Sequence, residues 1–200
     1  MSMKQTPSQT VGPFFAYGLT AQQYGYNFTQ LATGQMRPDD DMPGEAIRIV
    51  GRVYDGDGQA AEDAMIELWQ PNAEGRFRHP ADDRSERPLT DGFTGFGRFG
   101  TGTDPRQRFI FDTIKPGAIG DGSAPFISVI VFMRGLLNHA YTRIYFSDEA
   151  QANASDPVLS RVAGDRRDTL IAQREETSTG VEYRFDIHMQ GPQETVFFDV

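Results

Sequence analysis

Phe126-Ile-Ser-Val-Ile-Val-Phe-Met-Arg134 is the stretch that decides the fold. Ile127, Val129, Val131 and Met133 make one apolar face, with the period of two that a half-buried strand requires. The other face carries Phe126, Ser128, Ile130, Phe132 and Arg134. Upstream, Phe109-Ile-Phe-Asp-Thr-Ile114 reads as a strand, joined to this one by the Gly/Pro-rich loop 115–124. Downstream, Gly135 marks a tight turn before a third strand that runs to Ser147. The mouth of the 115–124 loop is where an enzyme would place its ligands. Here the strand begins with Phe126 and Ser128, neither of them a strong metal ligand or a titrating base.

Working outward, Ile47, Ile49, Gly51 and Val53 alternate up to Tyr54, and Ala64, Ile66 and Leu68 alternate up to Trp69. Asp55-Gly-Asp-Gly58 lies between them and predicts a strand–turn–strand unit. It has the look of a calcium loop, but the remaining ligand positions and the closing glutamate are missing. Gly75–His79 predicts a further short strand, and residues 80–106 read as a long loop. Asp156 before Pro157 reads as an N-cap, predicting a short helix over Val158–Val162, with another over Arg167–Gln173. Val181–Gln190 is the cleanest alternation in the chain, and Thr195–Phe198 extends the sheet. The fold class is therefore all-β: an antiparallel β-sandwich with an extended N-terminal arm and a few short helices. The arm takes residues 1–20, and a single sandwich domain takes 21–200. The arm's Gly12-Pro-Phe-Phe15 suits an extended segment docked on this chain or on a partner.

Composition narrows the chemistry. There is no cysteine, which excludes thiolate metal sites and cysteine nucleophiles. The net charge of −9 argues against nucleic acid, whose phosphates need a basic stripe. No apolar leader and no stretch of membrane-spanning length is present, so the expected location is the cytoplasm, away from membranes. An acidic chain recognises an anionic small molecule only through placed arginines. Arg134, closing an apolar strand, is one such residue, although a plain ion pair is its commoner role. His79 and His188 read as surface or hydrogen-bonded groups. His139 and Tyr141 share a strand face, and imidazole with phenolate suits ferric iron, but aromatics at this spacing more often pack.

Longer runs carry a resemblance. Val53-Tyr-Asp-Gly-Asp-Gly58, Ile66-Glu-Leu-Trp-Gln-Pro-Asn-Ala-Glu-Gly-Arg-Phe77 and Phe111-Asp-Thr-Ile-Lys-Pro-Gly117 resemble the intradiol ring-cleavage dioxygenases. The arm Thr6-Pro-Ser-Gln-Thr-Val-Gly-Pro-Phe14 and the segment Arg143-Ile-Tyr-Phe-Ser-Asp-Glu-Ala-Gln-Ala-Asn153 extend the resemblance. So does the tail Glu194-Thr-Val-Phe-Phe-Asp199. Iron-bearing chains of that family hold a ferric ion with two tyrosines and two histidines. The matching positions here are Ile119, Phe126 and Ser128, and a gapless comparison puts Arg84 at the fourth.

The resemblance thus implies a chain with no metal ligand and no catalytic residue of its own. Its Fe3+ is expected on an iron-bearing beta chain within a large hetero-oligomer. The implied reaction inserts O2 between the hydroxyl-bearing carbons of protocatechuate to give 3-carboxy-cis,cis-muconate. Carried over by position, Thr10, Gly12, Pro13 and Arg134 are the expected substrate-binding residues, with Arg134 on the substrate carboxylate. Two other readings stay open: a stand-alone sandwich binding module, and an enzyme with its metal moved to His139 and Tyr141.

Overall fold

The β-branched and aromatic alternations form nine strands among the described residues, which are 10, 12–120 and 122–199 of a computed structural model. They are β1 (Ala46–Tyr54), β2 (Met65–Trp69), β3 (Phe96–Gly100), β4 (Arg108–Ile114) and β5 (Phe126–Phe132), followed by β6 (Ala140–Phe146), β7 (Ile171–Thr177), β8 (Gly180–Arg184) and β9 (Ile187–His188). The hydrogen-bonded order is β3-β2-β5-β6-β7-β8-β1-β4, with β9 beside β1. The start of β7 pairs with β6 and the rest with β8, so β7 hinges two layers together.

Ile66, Leu68, Ile127, Val129, Val131 and Ile144 of one layer share a single buried cluster with Ile47, Ile49, Val53, Phe109 and Phe111 of the other. Phe99 meets Phe111 edge-on across the gap, at 6.0 Å between ring centroids. The sandwich is mixed rather than antiparallel. β1 runs parallel to β8 and β9, and β6 parallel to β7, because the β7–β8 hairpin returns along β1 in β1's own direction.

Several local expectations are corrected. The Asp55 turn forms, its carboxylate accepting the N–H groups of Asp57 at 3.0 Å and Gln59 at 2.8 Å. Yet β1 and β2 do not pair: β1 is already flanked by β4 and β8, and β2 crosses to the other layer between β3 and β5. Gly75–His79 is not a strand. Buried Asn72 captures the Glu74 and Arg76 N–H groups and winds the segment into a turn.

Within 80–106, Phe96–Gly100 is β3, where Gly97 stands against Met36 and Phe111 with no room for a Cβ. Arg167–Gln173 is a 3-10 turn (Arg167–Leu170) that runs straight into β7, and a helix α2 precedes it at Ala150–Ser155, after α1 at Pro13–Leu19. α1 itself falls in the arm read as extended, with Pro13 at the first helical position, where a missing N–H costs nothing. Residues 1–9 and 11 of that arm lie outside the described residues.

Asp156 does bind N–H groups here, but the segment it holds is a 3-10 turn at Leu159–Arg161 with Val158 at the N-cap position, not a helix over Val158–Val162. The buried Asp156 carboxylate accepts the Val158 N–H at 2.9 Å, the Leu159 N–H at 2.7 Å and, from the loop, the Ala124 N–H at 2.9 Å. Tyr145 donates its hydroxyl to the same carboxylate at 3.1 Å. Tyr183 does likewise to Asp148, which Lys115 also grips at 2.6 Å. The Val181–Gln190 alternation keeps its faces but splits at Phe185 and Asp186. There the Asp186 carboxylate takes the Arg52 N–H at 2.9 Å, and Gly51 lets the Phe185 backbone approach. Thr195–Phe198 adds one bridge, Tyr141 to Phe198. No helix among the described residues is long and apolar enough to cross a membrane.

Two predictions follow from this packing. A Cβ at Gly51 would overlap the Phe185 carbonyl, and backbone cannot swing away as a side chain can. Gly51→Ala is therefore expected to destabilise by about 2–3 kcal/mol in denaturant titration, whereas Gly164→Ala, whose Cβ meets nothing and whose φ is ordinary, should change stability little. Burial pushes the Tyr145 phenol up to about 12, against the pull of Arg143, and burial with Asp148 does the same for Tyr183. A raised folded-state value means that the phenols' contribution is complete below about pH 10 and fades as pH climbs through about 12. Absorbance titration should show a phenolate step near pH 12, which Tyr145→Phe and Tyr183→Phe each reduce by one equivalent.

Candidate functional site

β5 carries a distinct chemical setting at each end. At its start, Phe126 is buried in a second apolar cluster with Ala124, Tyr145, Leu159, Val162 and Leu170, and Phe77 and Ile119 pack against it. Antiparallel register sets Arg143 of β6 beside Ser128. The Arg143 guanidinium lies over the Phe126 ring at 4.2 Å, a cation–π contact, and reaches the Tyr145 hydroxyl at 3.4 Å.

A second guanidinium closes the corner. Arg84 bonds the Ile119 carbonyl, the Gly75 carbonyl at 3.0 Å and the Asp82 carboxylate. Asp82 is thereby held well below the usual carboxylate range, chiefly by the Arg84 hydrogen bonds, with the Phe77 and Arg84 N–H groups adding to them. Arg87 takes the neighbouring Ala118 carbonyl at 2.7 Å. Beside this corner, Trp69 stacks on Phe77 at 5.7 Å over a small cavity of about 340 Å³ that His79 and Asp82 also line.

The structure therefore brings Arg84, Ile119 and Phe126 together, with Ser128 one pleat along the same strand face. These residues do not fit an iron centre. A ferric ion needs anionic or imidazole donors, and this corner offers two guanidinium cations, a phenyl ring, an alkyl side chain, one carboxylate already bound to arginine, and the Tyr145 phenol, which burial keeps protonated and which donates to Asp156. Among the described residues, no cluster of three or more His, Asp or Glu is arranged to hold a metal. His139 and Tyr141 do meet, Nε2 to hydroxyl at 2.6 Å, but they spend that contact on each other.

At the far end of β5, Arg134 is two-thirds exposed, and its Nε lies 2.9 Å from the Asp63 carboxylate. Gly135 follows with φ +89°, a turn conformation in which its N–H points at the arm. Thr10 accepts that N–H at 3.0 Å. Phe15 of α1 packs on Phe132 at 5.9 Å, and Phe132 on His139 at 5.3 Å. Gly12 offers its carbonyl to the Phe15 N–H at 2.9 Å, and Pro13 opens α1, so the arm residues gather where β5 ends. β5 itself separates Phe126 from Phe132 by roughly 20 Å at the usual rise, and Arg134 stands in the turn two residues beyond it.

Asp63, Asp82 and Arg143 are the participants that the sequence reading missed. Cross-strand register would have found Asp63. Met65 pairs with Phe132, so two further steps along each strand set Asp63 opposite Arg134.

Comparison with known proteins agrees with this geometry. Residues 19–191 match the family described as Dioxygenase. The chain is 54% identical to the protocatechuate 3,4-dioxygenase alpha chain of Burkholderia cepacia, over 100% of this chain and 99% of that one. It is 33% identical to the protocatechuate 3,4-dioxygenase beta chain of the same organism, over 76% of this chain and 67% of that one. In fold it is similar to 3-chlorocatechol 1,2-dioxygenase from Rhodococcus opacus 1CP, with a TM-score of 0.58 at 21% identity, covering 82% of this chain and 69% of that one. The sandwich, the strand-end corner and these full-length matches lead to one conclusion: the chain belongs to the intradiol ring-cleavage dioxygenase family.

Proposed function

We propose that this chain is the non-catalytic alpha subunit of a protocatechuate-cleaving intradiol dioxygenase. It works with a beta chain that carries the Fe3+ and converts protocatechuate and O2 to 3-carboxy-cis,cis-muconate. The observation that carries the reading is the contrast between the two ends of β5. The end matching the family's ligand positions is filled with Phe126 and capped by Arg143. The other end presents an exposed arginine beside an ordered arm. With the roughly 20 Å length of β5 between it and its own filled corner, Arg134 cannot serve a substrate held there. Its guanidinium is available only to a pocket on another chain. The similarity to proteins named alpha chain and beta chain supports a partner of related fold.

In this reading Arg134 offsets the substrate carboxylate with a charge-assisted hydrogen bond. Thr10 fixes the turn from which Arg134 projects by holding the Gly135 N–H. Gly12 and Pro13 shape the entrance through backbone and ring, having no polar side chain to offer.

Two experiments test the assignment. Co-expression with its beta chain should yield a hetero-oligomer whose iron and protocatechuate turnover are absent from this chain expressed by itself; iron-dependent turnover by this chain alone would refute it. In the assembled enzyme, Arg134→Ala should cost about 1.5–3 kcal/mol of transition-state binding for protocatechuate, roughly ten- to a hundredfold in kcat/KM. Plain catechol, which lacks the carboxylate, should lose little. Equal losses on both substrates would remove Arg134 from carboxylate recognition.

A further inference from the structure

We propose that Asp63 is a positioning residue that holds Arg134 by the Nε edge of its guanidinium and so presents the two terminal amino groups to the substrate carboxylate. The inference rests on the reading of Arg134 given above.

The geometry begins in the ladder. β2 and β5 are antiparallel, with Met65 opposite Phe132, and both chains continue past the last pair into exposed turns. The register sets Asp63 opposite Arg134, and the ion pair closes at 2.9 Å between Asp63 and Nε. An Arg134 side chain two-thirds in solvent is otherwise free to sample many rotamers, and ordering it on binding costs up to about 2 kcal/mol. A carboxylate anchored in the neighbouring strand removes part of that cost before substrate arrives. Because the contact uses Nε, the opposite edge of the fork stays open for a second, incoming carboxylate.

Asp63 is itself placed. It sits near Tyr24 of the 3-10 turn at Ala21–Tyr24, whose phenol is pushed up by burial first, then by Tyr17 and by the Asp63 charge. The same turn anchors the arm onto the sheet through Gln23, which donates to the Gly100 carbonyl at 3.1 Å and accepts its N–H at 2.8 Å. Arm, Asp63 and Arg134 thus form one assembly at a single edge of the fold.

The test uses the assembled enzyme with its beta chain. It compares KM and kcat for protocatechuate and plain catechol in Asp63→Asn, Arg134→Ala and the double variant. Asp63→Asn should raise KM for protocatechuate about three- to fivefold with kcat moved less than about twofold. In the Arg134→Ala background it should add nothing, because the group it positions is gone. Asp63→Glu should recover most of the affinity by keeping a carboxylate in reach. Asp63→Ser carries the same expectation as Asp63→Asn, should that variant fail to assemble.

An unchanged or lower KM in Asp63→Asn, or an equal effect with and without Arg134, overturns the proposal. If Arg134→Ala itself fails to separate the two substrates, the carboxylate reading falls. If Arg134→Ala separates them and Asp63→Asn does not, only the positioning role falls.

Discussion

The antiparallel pairing of β2 with β5 is the constraint on which the rest depends. One register, Met65 opposite Phe132 and Trp69 opposite Ser128, fixes both ends of the molecule at once. It turns Ile66, Leu68, Val129 and Val131 inward, where they are lost to solvent. Each such side chain contributes about 1.5–3 kcal/mol on burial, so a slip by one residue would expose the whole set. With the register fixed, the outward face has no freedom either. Phe126 and Ser128 must stand at the loop mouth, and Arg134 must emerge at the other edge beside Asp63.

The filled corner follows a similar economy. A pocket stripped of its metal would leave buried polar groups without partners, at about 1–3 kcal/mol for each one. Here the space is taken by groups that satisfy one another. Phe126 packs with Tyr145 and Leu159, and Arg143 covers the ring. Arg84 gathers the Ile119 and Gly75 carbonyls together with Asp82. The loop 115–124 is tied down at Ala124 by Asp156 and at Ala118 by Arg87. The corner is packed as part of the core.

Much of this was legible in the sequence, for reasons that can be named. β5 was readable because a strand buried on one face must alternate, and nothing long-range alters that period. The Asp156 contacts were readable because their partners are two and three residues away. What escaped was set by distant partners. The Asp-Gly-Asp-Gly turn suggested a hairpin, but which strand lies beside β1 depends on residues 108–114 and 180–184, not on the turn. β3 was hidden because its two glycines remove the alternation, and one of them, Gly97, makes room for Met36 and Phe111 from elsewhere in the chain. The break at Phe185 depends on Gly51, more than a hundred residues earlier. Asp63 was missed for the same reason as the false hairpin: with β2 assigned to the wrong neighbour, its register partner Arg134 could not be seen.

The separation between the two ends of β5 keeps their settings physically independent. A strand is stiff, and one of this length cannot bring its own end to its own beginning. A chain of this fold that has filled its ligand corner has therefore not disabled its far edge, which is built by different contacts and stabilised by the arm through Thr10 and Phe15. The packing of the corner and the charge and order of the edge are thus separable features of this architecture. The described part of the arm meets the far end of β5 through Thr10 and Phe15 rather than the filled corner, so the contacts that order that edge are independent of those that fill the corner.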